Sequence, residues 1–180
     1  MKSKLCILLL AAVFGVSAAE LAVKWKESLA ATPPGAAVVK GWKLNNYRKN
    51  PKIGTGEVIE ENGVKFFRIV TTSIDTSFHT TENFLAQAGD TLEIEVTASG
   101  KGHLMVSCCA YQLDKKFFVM ANNKIQYILP KNQKKTWTIT KKLSDGKQGQ
   151  KLGRITLVIG GGGKGTLDIY DFKARLIKAK

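Results

Sequence analysis

Thr91-Leu92-Glu93-Ile94-Glu95-Val96 decides the fold class. On an extended chain its leucine, isoleucine and valine share one side and its two glutamates the other. That is the period-two pattern of a strand with one face in a core and one in water. His103–Tyr111 is apolar at nearly every position, as in a central strand covered on both faces. Val64–Thr71 is β-branched and aromatic, and Phe117–Met120, Ile125–Leu129, Thr136–Thr140, Arg154–Ile159 and Thr166–Leu176 repeat the signal. Ala36–Leu44 and Leu21–Lys26 add strands near the start. Asn62-Gly63, Ala88-Gly89-Asp90, Ser99-Gly100-Lys101-Gly102, Asn122-Asn123, Ser144-Asp145-Gly146 and Gly160–Gly163 read as the turns between them. About ten short strands at this spacing predict an all-β fold, a jelly-roll sandwich of two antiparallel sheets.

The chain of 180 residues is long enough for one domain with a sizeable core. Its start reads as a leader: basic Met1-Lys2-Ser3-Lys4, apolar Leu5–Val16, then small Ser17-Ala18-Ala19 before Glu20. This is the pattern of a cleavable secretory signal over residues 1–19, and the apolar run is shorter than the roughly 20 residues a spanning helix needs. The expectation is a secreted or periplasmic protein with no membrane span, an N-terminal strand or linker over residues 20–35, and the β-domain over 36–180. Pro33-Pro34 marks the one hinge candidate. Beyond the leader only the adjacent Cys108 and Cys109 remain, so no disulfide framework holds the fold, and the pair reads as two small apolar residues.

Twenty-eight Lys and Arg stand against 14 Asp and Glu, a net charge of +14 that falls to +12 when Lys2 and Lys4 leave with the leader. The charge is uneven: residues 55–95 carry eight acids and two bases, and residues 115–154 carry eleven bases and one acid. An exported basic surface meets an acidic polysaccharide or a membrane surface rather than nucleic acid.

Motifs for chemistry are sparse. Gly160–Gly165 fits G-x-G-x-x-G in spacing, but strand-like Thr166–Tyr170 follows where a dinucleotide site requires a helix, so a hairpin loop is the expectation. Glu93 and Glu95 share a strand face about 7 Å apart, a spacing that suits a small glycan hydrolase only if one is buried. His79 and His103 are the only histidines, and neither stands at a metal-ligand spacing. Aromatic rings that stack on sugars, next to polar side chains, single out Phe78, His79, Tyr111 and Tyr127, and Arg68 and Arg154 could grip a uronate or sulfate.

Four stretches carry a family resemblance: Gly41-Trp42, Leu85–Ile94, Trp137-Thr138-Ile139 and Gly165–Phe172. Together they resemble the jelly-roll carbohydrate-binding modules of the galactose-binding-like superfamily, of the xylan- and cellulose-binding type, over about residues 36–178. The resemblance implies packing roles for Trp42 and Trp137 and a structural calcium with Asp171 at a matching ligand position. No other cofactor is expected. A non-catalytic glycan-binding protein follows as the expected function, with a protein–protein assembly module of the cell envelope and a small secreted hydrolase as alternatives.

Overall fold

The structure is a computed structural model that describes residues 18–21, 23–45, 52–72, 75–114, 124–128 and 130–179. Most of the leader, Phe117–Met120 and Asn122-Asn123 lie outside the described residues. The elements are β1 (Ala18–Glu20), α1 (Trp25–Ala30), β2 (Trp42–Leu44), β3 (Thr55–Glu61), β4 (Val64–Thr71), β5 (Thr76–Thr80) and β6 (Phe84–Leu85), followed by β7 (Thr91–Tyr111), β8 (Lys124–Ile128), β9 (Lys135–Lys142) and β10 (Arg154–Ile177). Every strand pairing is antiparallel.

Two long strands organise the rest. β7 and β10 pair from Arg154 opposite Tyr111 to Ile177 opposite Thr91. Their register breaks between Ile169 and Asp171 and, in the middle, between Gly162 opposite His103 and Thr166 opposite Lys101. The halves on either side of that corner belong to two layers. In the first, β2, β5, the start of β10, the end of β7 and β8 lie in order, with β6 also on β10. In the second, the order is β3, β4, the end of β10, the start of β7 and β9, with β1 also on β10. Leu104, Val106, Ile155, Leu157 and Ile159 from the first layer join Leu92, Ile94, Val96, Leu167 and Phe172 from the second in one core. The fold is the expected all-β jelly-roll sandwich.

The sequence signals for two turns mark this corner. Ser99–Gly102 and Gly160–Gly163 do not end strands, as expected, but let β7 and β10 bend and continue. Glycine is required there for space. A β-carbon on Gly100 would collide with the carbonyl oxygen of Thr166, and its φ of +121° suits no other residue. Past the corner a bulge at Tyr170 shifts the inward side of β10 from Leu167 and Ile169 to Phe172, Ala174 and Leu176.

Two further differences lie near the ends. Leu21–Lys26 does not form a strand; instead Trp25 and Leu29, four residues apart, set one buried face of helix α1. The Trp25 ring meets Trp42 edge-on at 5.3 Å, and Trp42 meets Phe172 in the same way at 5.3 Å. Of Ala36–Leu44 only Trp42–Leu44 is a strand. Trp137 packs at the edge of the core, so both tryptophans hold the packing places that the resemblance implies.

Asp90 ties down the C-terminus. Its carboxylate is fully buried and accepts from Gln87 N, Ala179 N and Lys178 Nζ, each at 3.0 Å. Burial acts to raise this carboxyl, but the three donors outweigh it and hold it below its ordinary value of 3.8. Its contribution is therefore present above that value and is lost as the pH falls further. Asp90→Asn is expected to cost about 2 kcal/mol at pH 7. Urea unfolding at pH 7 and at pH 3 checks this, with the deficit shrinking at the lower pH. Gly100→Ala should destabilise at both.

Candidate functional site

The outward face of the first layer gathers polar side chains on three adjacent strands. β5 presents Ser77 and His79, β10 presents Arg154, Thr156 and Val158, and β7 presents Met105, Ser107, Cys109 and Tyr111. Alternation fixes this, because Phe78, Ile155, Leu157, Val106 and Cys108 take the inward positions between them. Although they turn away from the core, Ser77, His79, Ser107 and Thr156 are buried. Register sets them in rows: His79, Val158 and Ser107; then Thr156 beside Cys109; then Arg154 beside Tyr111.

His79 is the centre of this face. One ring nitrogen, Nε2, lies 3.3 Å from Ser77 Oγ, and the other, Nδ1, lies 3.9 Å from Cys109 Sγ. Burial, with Lys43 on β2 adding to it, lowers the imidazole to about 4, so the ring is neutral at pH 7. Burial also pushes the Cys109 and Tyr111 protons toward retention. The Thr156 side chain, buried between them, is hydrogen-bonded to both and partly offsets that push. At the end of the face the Arg154 guanidinium sits 5.2 Å from the centre of the Tyr111 ring, and its Nε donates to Gln112 O at 3.2 Å. The arrangement suits a ligand that is hydroxyl-rich and meets a ring and a cation at one end.

The residues singled out from sequence separate into three groups. His79, Tyr111 and Arg154 come together on this face. Phe78 is in the core, 1% exposed and edge-on to Phe67 at 4.8 Å, so its ring offers no face to a ligand. Arg68 lies on the second layer, where its Nε and Nη2 donate to Asp168 at 2.8 and 3.0 Å; these bonds hold its guanidinium proton more firmly than usual. Tyr127 stands on β8 opposite Met105, and its side chain lies outside the described residues. Ser77, Cys109 and Thr156 escaped the sequence reading. The alternation of Arg154 and Thr156 with Ile155 and Leu157 was the signal that contained Thr156.

The surroundings of Asp171 do not suit calcium. Its carboxylate lies 3.3 Å from Lys26 Nζ and 3.8 Å from Lys173 Nζ, and it accepts from Phe172 N at 3.0 Å. Among the described residues no group of three or more acidic, histidine or cysteine side chains could hold a metal ion. A hard cation that needs about six oxygens does not fit a carboxylate already matched by two lysines. Glu93 and Glu95 are likewise taken up by Arg175 and Lys173 on the second layer. Among the described residues no helix is long and apolar enough to cross a membrane.

Solved structures of known proteins share this fold. A cyclase from Fischerella sp. TAU aligns with a TM-score of 0.62 at 12% identity, over 91% of this chain and all of that one. The Stig cyclase Fisc from the same source, solved with (3Z)-3-(1-methyl-2-pyrrolidinylidene)-3H-indole, aligns with a TM-score of 0.60 at 11% identity over the same shares. A xylan-binding domain from Paenibacillus barcinonensis aligns with a TM-score of 0.50 at 11% identity, over 81% of this chain and 92% of that one. No protein-family model matches the chain, and no curated protein matches it in sequence. At these identities the likeness is one of fold.

His79 provides a test of the face. The unfolded chain binds a proton at this ring below pH 6.5 and the folded chain only below about 4, so stability falls as the pH drops through that window. The loss is up to about 3 kcal/mol. Urea unfolding of His79→Gln at steps from pH 7 to pH 4 should show a flatter profile than the parent; equal slopes would remove His79 from this role.

Proposed function

We propose that this protein binds glycan, without turning it over, on the outward face of the first layer. The observation that carries the reading is the Tyr111 ring with the Arg154 guanidinium 5.2 Å from its centre at the partly exposed end of the face, backed by the buried hydrogen-bonding side chains of Ser77, His79 and Thr156. A neutral imidazole and two hydroxyls both donate and accept, as sugar hydroxyls require. The Tyr111 ring supplies an apolar surface for sugar C–H groups, and Arg154 supplies a charge for an acidic one. A fold shared with a xylan-binding domain supports the reading. The basic surface adds capture of an anionic chain: Lys131, Lys134, Lys135 and Lys142 are exposed on β9 and its approach, whereas Glu60, Glu61, Glu93 and Glu95 face cations.

The reading places the protein outside the cytoplasm, as the leader pattern of residues 1–19 implies. A second reading, an assembly module, draws on two exposed leucines at the Arg154 end: Leu85 opposite Arg154 on β6, and Leu113 two residues beyond Tyr111.

Affinity gel electrophoresis against xylan, cellulose derivatives and polygalacturonate, at low and high salt, tests the proposal. The parent should be retarded by at least one polymer, and Tyr111→Ala and Thr156→Val should lose at least about tenfold in affinity. Retention on polygalacturonate should weaken with salt and with Arg154→Ala. Free migration through every polymer would overturn the reading, and a partner lost on changing Leu85 and Leu113 to Ser would favour assembly.

A further inference from the structure

We propose that Cys109 and His79 form a binding site for one soft metal cation, cuprous copper above all, on the outward face of the first layer. The site goes beyond the glycan reading and does not depend on it. Its ligands come from β7 and β5, on either side of β10, so the sheet and not a sequence motif brings them together.

Geometry fits an ion between them. A thiolate at about 2.3 Å and an imidazole nitrogen at about 2.0 Å from one metal stand at most about 4.3 Å apart. Cys109 Sγ and His79 Nδ1 are 3.9 Å apart, so the pair can close on a cation with no change in the backbone. The other ring nitrogen faces Ser77 Oγ at 3.3 Å. When Nε2–H donates to that hydroxyl, the lone pair of Nδ1 points to the sulfur, which is the outer-shell support that metal-binding histidines use.

Thr156 sits on β10 directly opposite Cys109, between the two ligand strands, and is 6% exposed. Its side chain is hydrogen-bonded to Cys109 and Tyr111, so it holds the sulfur in place beside His79.

The donor set selects the ion. One thiol and one imidazole, with no carboxylate on the face among the described residues, disfavour magnesium, calcium and manganese. Zinc takes four ligands, whereas cuprous copper is content with two. The thiol proton leaves to solvent as the sulfur–metal bond forms, one proton per ion, so affinity rises with pH. Cys108, on the core side of the same strand, is the built-in control.

The reduced protein, titrated anaerobically with cuprous copper against bicinchoninate, should bind one ion. X-ray absorption should show one sulfur and at least one nitrogen at the metal. Cys109→Ser and His79→Gln should each weaken binding at least about 100-fold, and Cys108→Ala should leave it unchanged. Far-UV circular dichroism confirms the folding of each variant, and if His79→Gln unfolds, Cys109→Ser decides alone. No stoichiometric binding by the parent, or full binding by Cys109→Ser, would overturn the proposal. Glycan retention measured on metal-free protein reports on the other reading alone.

Discussion

The close approach of backbones at the shared corner of β7 and β10 is the constraint on which the molecule rests. Side chains cannot occupy that corner. A β-carbon on Gly160 would meet the carbonyl of Thr76, one on Gly161 the side chains of Leu167 and Thr71, and one on Gly165 the carbonyl of Lys101. With glycine at these places two strands bend together and keep their ladder on both sides of the bend. Each then supplies one half to each layer, and the inward residues of both halves close a single core. Burial of that core is the main favourable term, at roughly 1.5–3 kcal/mol for each large apolar side chain.

The same bend creates the candidate site. It fixes the start of β10 between β5 and β7, and the strict alternation of that stretch sends every second side chain to the outward face. Ser77, His79, Thr156, Cys109 and Tyr111 are thus neighbours across strands rather than along the chain. Their burial on a face that does not belong to the core is what sets His79 apart. A histidine in water titrates near neutrality, while this one stays uncharged well into acid. The face offers dipoles and a ring, with Arg154 at one end and Lys43 opposite His79 on β2 as its fixed charges among the described residues.

Much of the fold was legible in sequence because alternation is a local signal. Thr91–Val96 and Thr136–Thr140 carry it in full, Val64–Thr71 is marked instead by β-branched and aromatic residues, and strands stand at all three. The glycine clusters misled for a physical reason. A glycine permits a turn and equally permits a close backbone crossing, and only the partner strand decides which. Leu21–Lys26 misled because the buried positions of its neighbourhood, Trp25 and Leu29, follow the helical period across the boundary chosen for a strand. Site residues were harder to read. Phe78 and His79 are adjacent in sequence, yet one faces the core and the other the outward face. Parity of a five-residue strand cannot be read until its partner is known. Cys109 and His79 are 30 positions apart, and no spacing rule connects them.

Because β7 and β10 each run through both layers, neither layer can come apart while the other stays intact. Loosening one end of either ribbon pulls on hydrogen bonds in the opposite sheet. The sandwich is therefore built to melt as one unit. A permanently shaped binding face is the natural outcome of such all-or-none construction.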